Sequence, residues 1–447
     1  MPAAETVERL ELIRTLGLRD IILLLIGVVV GSGIFVVPAQ TIRATGGYSG
    51  LMAIAWMAGG ALTILGALTF AEMSAMSPCA GGMYAFIRDA FGRLPAFLYG
   101  WILFFVIGPG TIAAVAVATA TCLGELVPLS HAVNLALPIA MITILGLVNV
   151  VGVRHSATLT NATTVFKIIP VVLICAALLA RGDVTHLRPF WPSTFNAAVF
   201  SGIGGAMLGV LWAYEGWQWV TFSAGETTNP QRVLPRGFAI GTAVVVAVYL
   251  LANIAFLSVL GPVAAGQSTH IGADAAHVAL GPVASKLVAA TIVVAMLSSA
   301  NGSIASIPRA FYAMAQDGLF FRRLGLLHRH FRTPTTAIIV LCAMAILYAL
   351  TGTFEQLLTY VVFCGWLFYA LAAAAIFIFR RRQPLLARPY RVPGYPFTPA
   401  AFIAFALVVV VNTVITQPLR AAVGLAIVVA GIPVFSLWQH MSGRDGK

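Results

Sequence analysis

Three groups of residues in this 447-residue chain have the chemistry to hold a charged solute, and all three lie inside apolar stretches. The first is Gly31-Ser32-Gly33-Ile34-Phe35, with Pro38 one turn further on, which interrupts the apolar run 21–42. A helix in lipid must satisfy its own backbone hydrogen bonds, so glycines, a serine and a proline at mid-depth point to unwound backbone lining a protein cavity. Successive free N–H groups at a half-helix N-terminus attract an anion. The second is Glu215, in the middle of Trp212-Ala213-Tyr214-Glu215-Gly216-Trp217-Gln218. Its side chain can line a cavity, serve as a proton site, attract a cation, or act as a buried capping carboxylate; at the level of the residues these readings stay open. The third is Lys167, within the run 158–180, where a charge costs roughly 2.5–3.5 kcal/mol on insertion scales. That cost asks for a role, or for a side chain that snorkels from the inner end of the span. Glu72 reads as a structural hydrogen-bonding group towards the end of its span, and Glu226 as a gate contact or a helix end.

The elements that must carry these groups can be read from composition. Apolar residues make up 60% of the chain and charged residues only 9%, against roughly 25% charged in an average soluble protein. Stretches of about 20 apolar residues occur at 21–42, 49–76, 94–121, 132–151, 158–180, 197–223, 236–260, 286–314, 334–351, 356–379, 398–415 and 419–438, which predicts twelve membrane-spanning helices. Residues 1–19 form a charged arm and the first apolar run continues without an A-x-A site, so the first span is expected to stay uncleaved. With twelve spans, Arg43, Arg181, Arg188, Lys286 and Arg420 fall on one side and Lys167 within a span; the other twenty of the 26 basic residues fall on the opposite side. The positive-inside rule then places both termini in the cytoplasm of a cell that holds this protein in its inner membrane. The net charge of +12 is thereby a topological signal, not a nucleic-acid footprint, which would want basic residues clustered with stacking aromatics on a soluble module. The five cysteines are scattered and lack CxxC spacing, so neither a disulfide framework nor a metal site is expected, and no cofactor is implied.

Broken stretches recur five spans apart, at 31–33 and 214–216, which is the sequence pointer to an inverted-repeat carrier with its site at the repeat interface. The expected divisions are an arm at 1–19, a first five-helix repeat at 20–181, an external loop at 182–196, a second repeat at 197–379, a cytoplasmic loop at 380–397, two further helices in 398–438 and a tail at 439–447.

Several segments together carry a family resemblance. Gly27-Val28-Val29-Val30-Gly31-Ser32-Gly33-Ile34-Phe35-Val36-Val37-Pro38 resembles the first-helix motif of the amino acid-polyamine-organocation superfamily. Phe70-Ala71-Glu72-Met73 with Gly81-Gly82-Met83-Tyr84-Ala85-Phe86 is similar to its second helix and following loop. Ala213 to Gln218, continued by Gly225-Glu226-Thr227-Thr228-Asn229-Pro230 and Leu234-Pro235-Arg236, looks like the L-type amino acid transporter branch, as does Asn301-Gly302-Ser303. The resemblance implies an all-α polytopic protein with twelve transmembrane helices: a LeuT-like 5+5 inverted repeat, helices one and six broken, and two extra C-terminal helices. It implies that a substrate α-carboxylate meets the amides of Ser32, Gly33 and Ile34, and that the α-ammonium meets the carbonyls of Val29, Trp212 and Glu215. It further implies that Lys167 takes the place a second sodium ion fills in sodium-coupled relatives, which makes transport sodium-independent, with Lys167 as fixed cation or proton carrier. An aromatic at the Trp212 position acts as a thin gate in that family; Phe35, Tyr214 and Trp217 are further candidates to cover the site. Asn301 and Ser303 are candidates for the eighth-helix wall that tunes substrate size.

The expected activity is alternating-access transport of neutral L-amino acids, as an exchanger or a proton-coupled symporter, with protons as candidate coupling ion. The alternative is a carrier of cationic amino acids or polyamines that uses Glu215; an amino-acid sensor or a channel on the same fold is a further class. An enzyme is not expected, since the eight histidines lie in loops or at span ends and no HExxH, GxSxG or P-loop occurs. Members that pair with a glycoprotein heavy chain use an external cysteine between spans three and four. The segment from Leu123 to His131 has none, so no disulfide-linked partner is expected.

Overall fold

The computed structural model describes residues 12–127, 130–351 and 354–442. Most of the N-terminal arm, part of the segment between Leu123 and His131, and the last residues of the tail lie outside that set. Among the described residues the chain is built from helices, and the single β contact is an isolated bridge between Leu16 and Thr227. In chain order the α-helices are α1 Leu18–Val29, α2 Gly33–Ala44, α3 Ser49–Met76, α4 Met83–Phe91, α5 Arg93–Ile102, α6 Gly108–Leu126, α7 His131–Val151 and α8 Val153–Arg181. They continue with α9 Ala197–Ala213, α10 Pro230–Gln267, α11 Ile271–Leu280, α12 Pro282–Ser306, α13 Pro308–Gln316, α14 Thr335–Thr351, α15 Phe354–Arg382, α16 Phe397–Thr416 and α17 Pro418–Ser442.

Nine helical stretches among the described residues are long and apolar enough to cross a bilayer, and α1 with α2 makes a tenth as a pair bent by 46°. The chain is therefore an all-α polytopic membrane protein. Of the two remaining predicted stretches, 334–351 corresponds to the 17-residue α14. The other, 197–223, is divided into the 17-residue α9 and a 3-10 segment, Trp217–Glu226.

Two departures from regular helix bear on the site. A π-helical turn at Leu103–Ile107 joins α5 to α6, next to Gly108-Pro109-Gly110, where Pro109 lacks an amide donor; such a turn shifts the helical phase of α6 relative to α5. Between α9 and the 3-10 segment, Gly216 takes a left-handed φ of 113°, which a residue with a Cβ adopts only at a cost.

Helix association in lipid depends on close packing through small residues, and this bundle uses them around α1 and α2. A Cβ on Gly27 would lie 2.6 Å from Thr164 Oγ1 and one on Gly33 would lie 2.8 Å from Ala213 Cα. The first glycine lets α1 lie against α8, and the second lets the start of α2 touch the end of α9.

Candidate substrate site between the two helix breaks

At the break between α1 and α2, backbone hydrogen bonding is lopsided. The last carbonyls of α1 are all engaged. Lys167, fully buried on α8, donates through Nζ to Gly27 O at 2.7 Å and Val30 O at 2.6 Å. Ser299 Oγ donates to Val28 O at 2.8 Å. Val29 O accepts from the Gly31 amide at 2.9 Å and lies 2.8 Å from the Tyr249 hydroxyl. The opening amides of α2 are the reverse: those of Ser32, Gly33 and Ile34 have no acceptor among the described residues, although all three residues are buried. Buried N–H groups are almost always paired. Three in a row at the positive end of a helix form a ready site for an anionic oxygen.

The second break faces this one. Tyr249, buried on α10, places its hydroxyl 2.8 Å from both Val29 O and Ala213 O, so one side chain bridges the ends of α1 and α9. A hydroxyl has one proton to donate, and the two carbonyls share it. Glu215 comes two residues after Ala213; its Oε1 accepts from Gln218 Nε2 at 2.7 Å and from the Tyr369 hydroxyl. Gln218 Nε2 also donates to the Tyr369 hydroxyl oxygen at 2.7 Å. With both donors on Oε1, Oε2 has no partner among the described residues.

Between the breaks lies a narrow cavity; the pocket around it holds about 390 Å³ outside the atoms, open solvent included. Its walls are Val28, Val29 and Gly31 to Gly33 from the first break, Trp212, Ala213 and Glu215 from the second, Trp219 from the 3-10 segment, Thr111 and Val115 from α6, and Ser299 from α12. Thr111 Oγ1 is buried without a hydrogen-bond partner among the described residues. The cavity thus presents unpaired amides on one side, a carboxylate opposite, and a free hydroxyl between them.

The sequence-derived candidates divide accordingly. Val29, Ser32, Gly33, Trp212 and Glu215 line the cavity; Ile34 supplies an amide but does not line it. The Val29 carbonyl, a candidate ammonium ligand, accepts from the Gly31 amide and shares the single Tyr249 proton with Ala213 O. Asn301 and Ser303 are not in the wall. Asn301 donates to Thr160 Oγ1 at 2.8 Å and accepts from Asn149 Nδ2 at 2.8 Å, and Ser303 Oγ donates back to Ser299 O at 2.8 Å. The α12 wall residue is instead Ser299, one turn earlier. Of the candidate gates, Phe35 packs towards Gly272 of α11. Tyr214 packs at a tilt against Trp56 and Tyr249, and Trp217 at a tilt against Phe70 and edge-on to Phe402. All three stand behind the cavity wall. Sequence reasoning missed Thr111, Val115, Trp219 and Ser299; Trp219 directly follows the run from Trp212 to Gln218 and Ser299 lies two residues before Asn301, while Gly108-Pro109-Gly110 was the signal beside Thr111.

Glu72 and Glu226 lie away from this cavity, in ion pairs. Glu72 is fully buried and accepts from Arg380 at 2.9 and 2.7 Å and from the Val392 amide at 2.6 Å, which pins the segment after α15 to the end of α3. Glu226 takes a two-point contact from Arg309 at 3.0 and 3.1 Å, with both side chains 1% exposed. The Glu226 carbonyl also accepts from the Thr15 and Leu16 amides at 2.9 and 3.0 Å, so the chain entering α1 is stitched to the end of the 3-10 segment.

Two helix breaks that together wall a small, mostly apolar cavity with a few polar groups, inside a bundle of membrane-length helices, define a membrane permease for a small solute. The profile of the family described as "Amino acid permease" matches residues 16–436, and the chain belongs to that family. It stands near the L-type amino acid transporter branch of the amino acid-polyamine-organocation superfamily and that branch's bacterial relatives. The chain is 31% identical over 428 residues to the serine/threonine exchanger SteT of Bacillus subtilis (strain 168), covering 94% of this chain and 96% of the relative. It is 30% identical over 413 residues to the b(0,+)-type amino acid transporter 1 of Mus musculus, covering 91% and 83%. To the large neutral amino acids transporter small subunit 2 of Homo sapiens it is 29% identical over 446 residues, covering 96% and 81%. Amino acid transport across a membrane is the activity these findings support, and the relatives are transporters rather than enzymes.

Proposed function

We propose that this protein is a carrier of small neutral L-amino acids, working by alternating access without sodium. The observation that carries the reading is the row of unpaired buried amides at Ser32 and Gly33, which line the cavity, and Ile34 next to them, placed to receive a carboxylate. Glu215, on the wall supplied by the second break, is the charged partner for the ammonium group. The serine/threonine activity in the name of the Bacillus subtilis relative agrees with a cavity that offers Thr111 and Ser299 to a short polar side chain. In this reading the chain has twelve spans, with α9 and the 3-10 segment as the broken sixth, α14 as the ninth, and a five-plus-five inverted repeat. Both termini face the cytoplasm of the inner membrane. Trp212 is the aromatic gate at the cavity.

The test is exchange of L-[3H]serine in proteoliposomes loaded with unlabelled L-serine. Expected is saturable uptake suppressed by neutral amino acids and absent from empty liposomes; linear, non-saturating entry would indicate a channel and overturn the reading. Coupling is tested by replacing external sodium with choline. Lys167 Nζ sits within hydrogen-bond distance of two α1 carbonyls, so the cation this junction needs is already covalently present. Uptake is expected to change by less than about twofold, since no binding term is lost; a sodium requirement would contradict the role given to Lys167.

One observation favours a second reading, a cationic substrate: the unpartnered Oε2 of Glu215. Glu215→Gln removes the charge and keeps the shape. On the neutral-substrate reading it weakens uptake of serine and arginine alike. Loss of arginine uptake with serine uptake kept would establish the second reading.

A further inference from the structure

A second cavity lies directly beyond the first, towards the face on which α1 begins; the pocket holds about 340 Å³ outside the atoms, open solvent included, and in this conformation its enclosed part has room for little more than a water. The same elements wall both. Leu16, just before α1, and Asp20 and Leu24 on it line the second cavity, and Val28, one turn on, lines the first. On the 3-10 segment, Trp219 belongs to the first, Ser223 and Glu226 to the second. Continuing from α12 into α13, Ser299 belongs to the first, Ala305 and Arg309 to the second. The partition is Val28, lodged where a Cβ on either Gly216 or Gly302 would collide with it.

The second cavity contains two orphaned polar atoms of opposite kind. Arg309 is 1% exposed; its Nε and Nη2 are taken by Glu226, and its Nη1 is buried with no hydrogen-bond partner among the described residues. Asn161 gives its Nδ2 to Asp20 Oδ1 at 2.6 Å. Because an ionised carboxylate only accepts, that bond fixes the amide's orientation. The amide oxygen, Asn161 Oδ1, is left buried and without a partner among the described residues. An unused guanidinium N–H and an unused carbonyl-type oxygen, lining one cavity, with Asp20 adding negative charge beside the latter, match the carboxylate and ammonium of an α-amino acid. Leaving such groups unmade is costly, which is why they are seldom found in native interiors without an occupant.

We propose that this cavity is a second binding site for the transported zwitterion, a stopping place between the site at the helix breaks and the face on which α1 begins. Arg309 Nη1 receives the carboxylate there and Asn161 Oδ1 the ammonium. The proposal rests on the amino acid carrier reading. Movement between the sites requires that Val28 leave its seat against Gly216 and Gly302 and that the walls of the second cavity part to admit the solute; Leu24 is the next side chain of α1 along the path.

The experiment is L-serine half-saturation measured separately from the two faces, in proteoliposomes of the full chain sorted by which side presents an N-terminal tag. Asn161→Ala removes the unused acceptor, and Ala305→Leu fills the cavity without touching the ion pair. Each is expected to raise the half-saturating concentration from the α1-start face by about tenfold, the loss of one hydrogen bond to a charged group, while the value from the opposite face changes by less than about twofold. A merely structural role shifts both faces together, and equal shifts, or no shift from the α1-start face, overturn the proposal. Wild-type vesicles that carry no amino acid from either face would instead overturn the carrier reading itself.

Discussion

A methyl group added at Gly33 is expected to remove nearly all amino acid uptake while leaving the protein folded in detergent. The added Cβ would stand 2.8 Å from Ala213 Cα and 2.9 Å from Ala213 Cβ, closer than nonbonded carbons approach, and the nearer atom is backbone that cannot rotate away. Relief comes only from moving α2 off α9, which swings the Gly33 amide from the cavity it lines. Losing one hydrogen bond to a charged carboxylate costs about 1.5–3 kcal/mol, so uptake at low substrate is expected to fall by roughly 10- to 150-fold. L-[3H]serine uptake in Gly33→Ala proteoliposomes, beside a melting curve of the same preparation, measures both quantities. Uptake within about twofold of wild type would show that the start of α2 does not hold substrate.

The largest stability loss is expected at Arg309. Glu226 is 1% exposed and Arg309 supplies both hydrogen bonds to its carboxylate, so Arg309→Ala leaves a buried charge alone. Breaking a buried pair by removing one partner costs about 3–5 kcal/mol, whereas replacing both with apolar or neutral groups of similar volume is often close to neutral. The double variant Arg309→Met with Glu226→Gln is therefore expected to melt above Arg309→Ala, even though it carries one more substitution. Thermal unfolding of the three proteins in one detergent gives the order directly. If Arg309→Ala melts with the wild type, the pair is not a structural contact of any weight. If the double variant melts below the single one, the loss at Arg309→Ala does not come from the stranded carboxylate.

The two breaks were legible in the sequence for a simple reason. Glycine and proline at mid-depth of an apolar run conflict with the demand that lipid makes on backbone, and a conflict of that size needs few residues to register. Lys167 and Glu215 stood out likewise, as charges whose burial is expensive. What those charges touch was not legible: that Lys167 reaches Gly27 O and Val30 O depends on the approach of α8 to α1 across Gly27 and Thr164. Nor was the cavity wall on α12, where Ser298-Ser299-Ala300-Asn301-Gly302-Ser303 is small or polar all round, so no apolar stripe marks the face turned to the cavity. Asn301 went to Asn149 and Thr160, Ser303 back to its own helix, and Ser299 to the wall. Thr111 is set by the π turn before α6, a phase shift that local composition does not announce. The pairing of Glu226 with Arg309 joins residues 83 positions apart, a separation at which a single sequence holds no register.

Tyr249 gives the site a built-in placeholder. Its hydroxyl oxygen lies 2.8 Å from the oxygens of both Val29 and Ala213, so a cation that claimed one oxygen would tip the hydroxyl proton to the other. The tyrosine thereby keeps a bond whichever way it turns, and a full pocket and an empty one differ at that point by the swing of a single O–H.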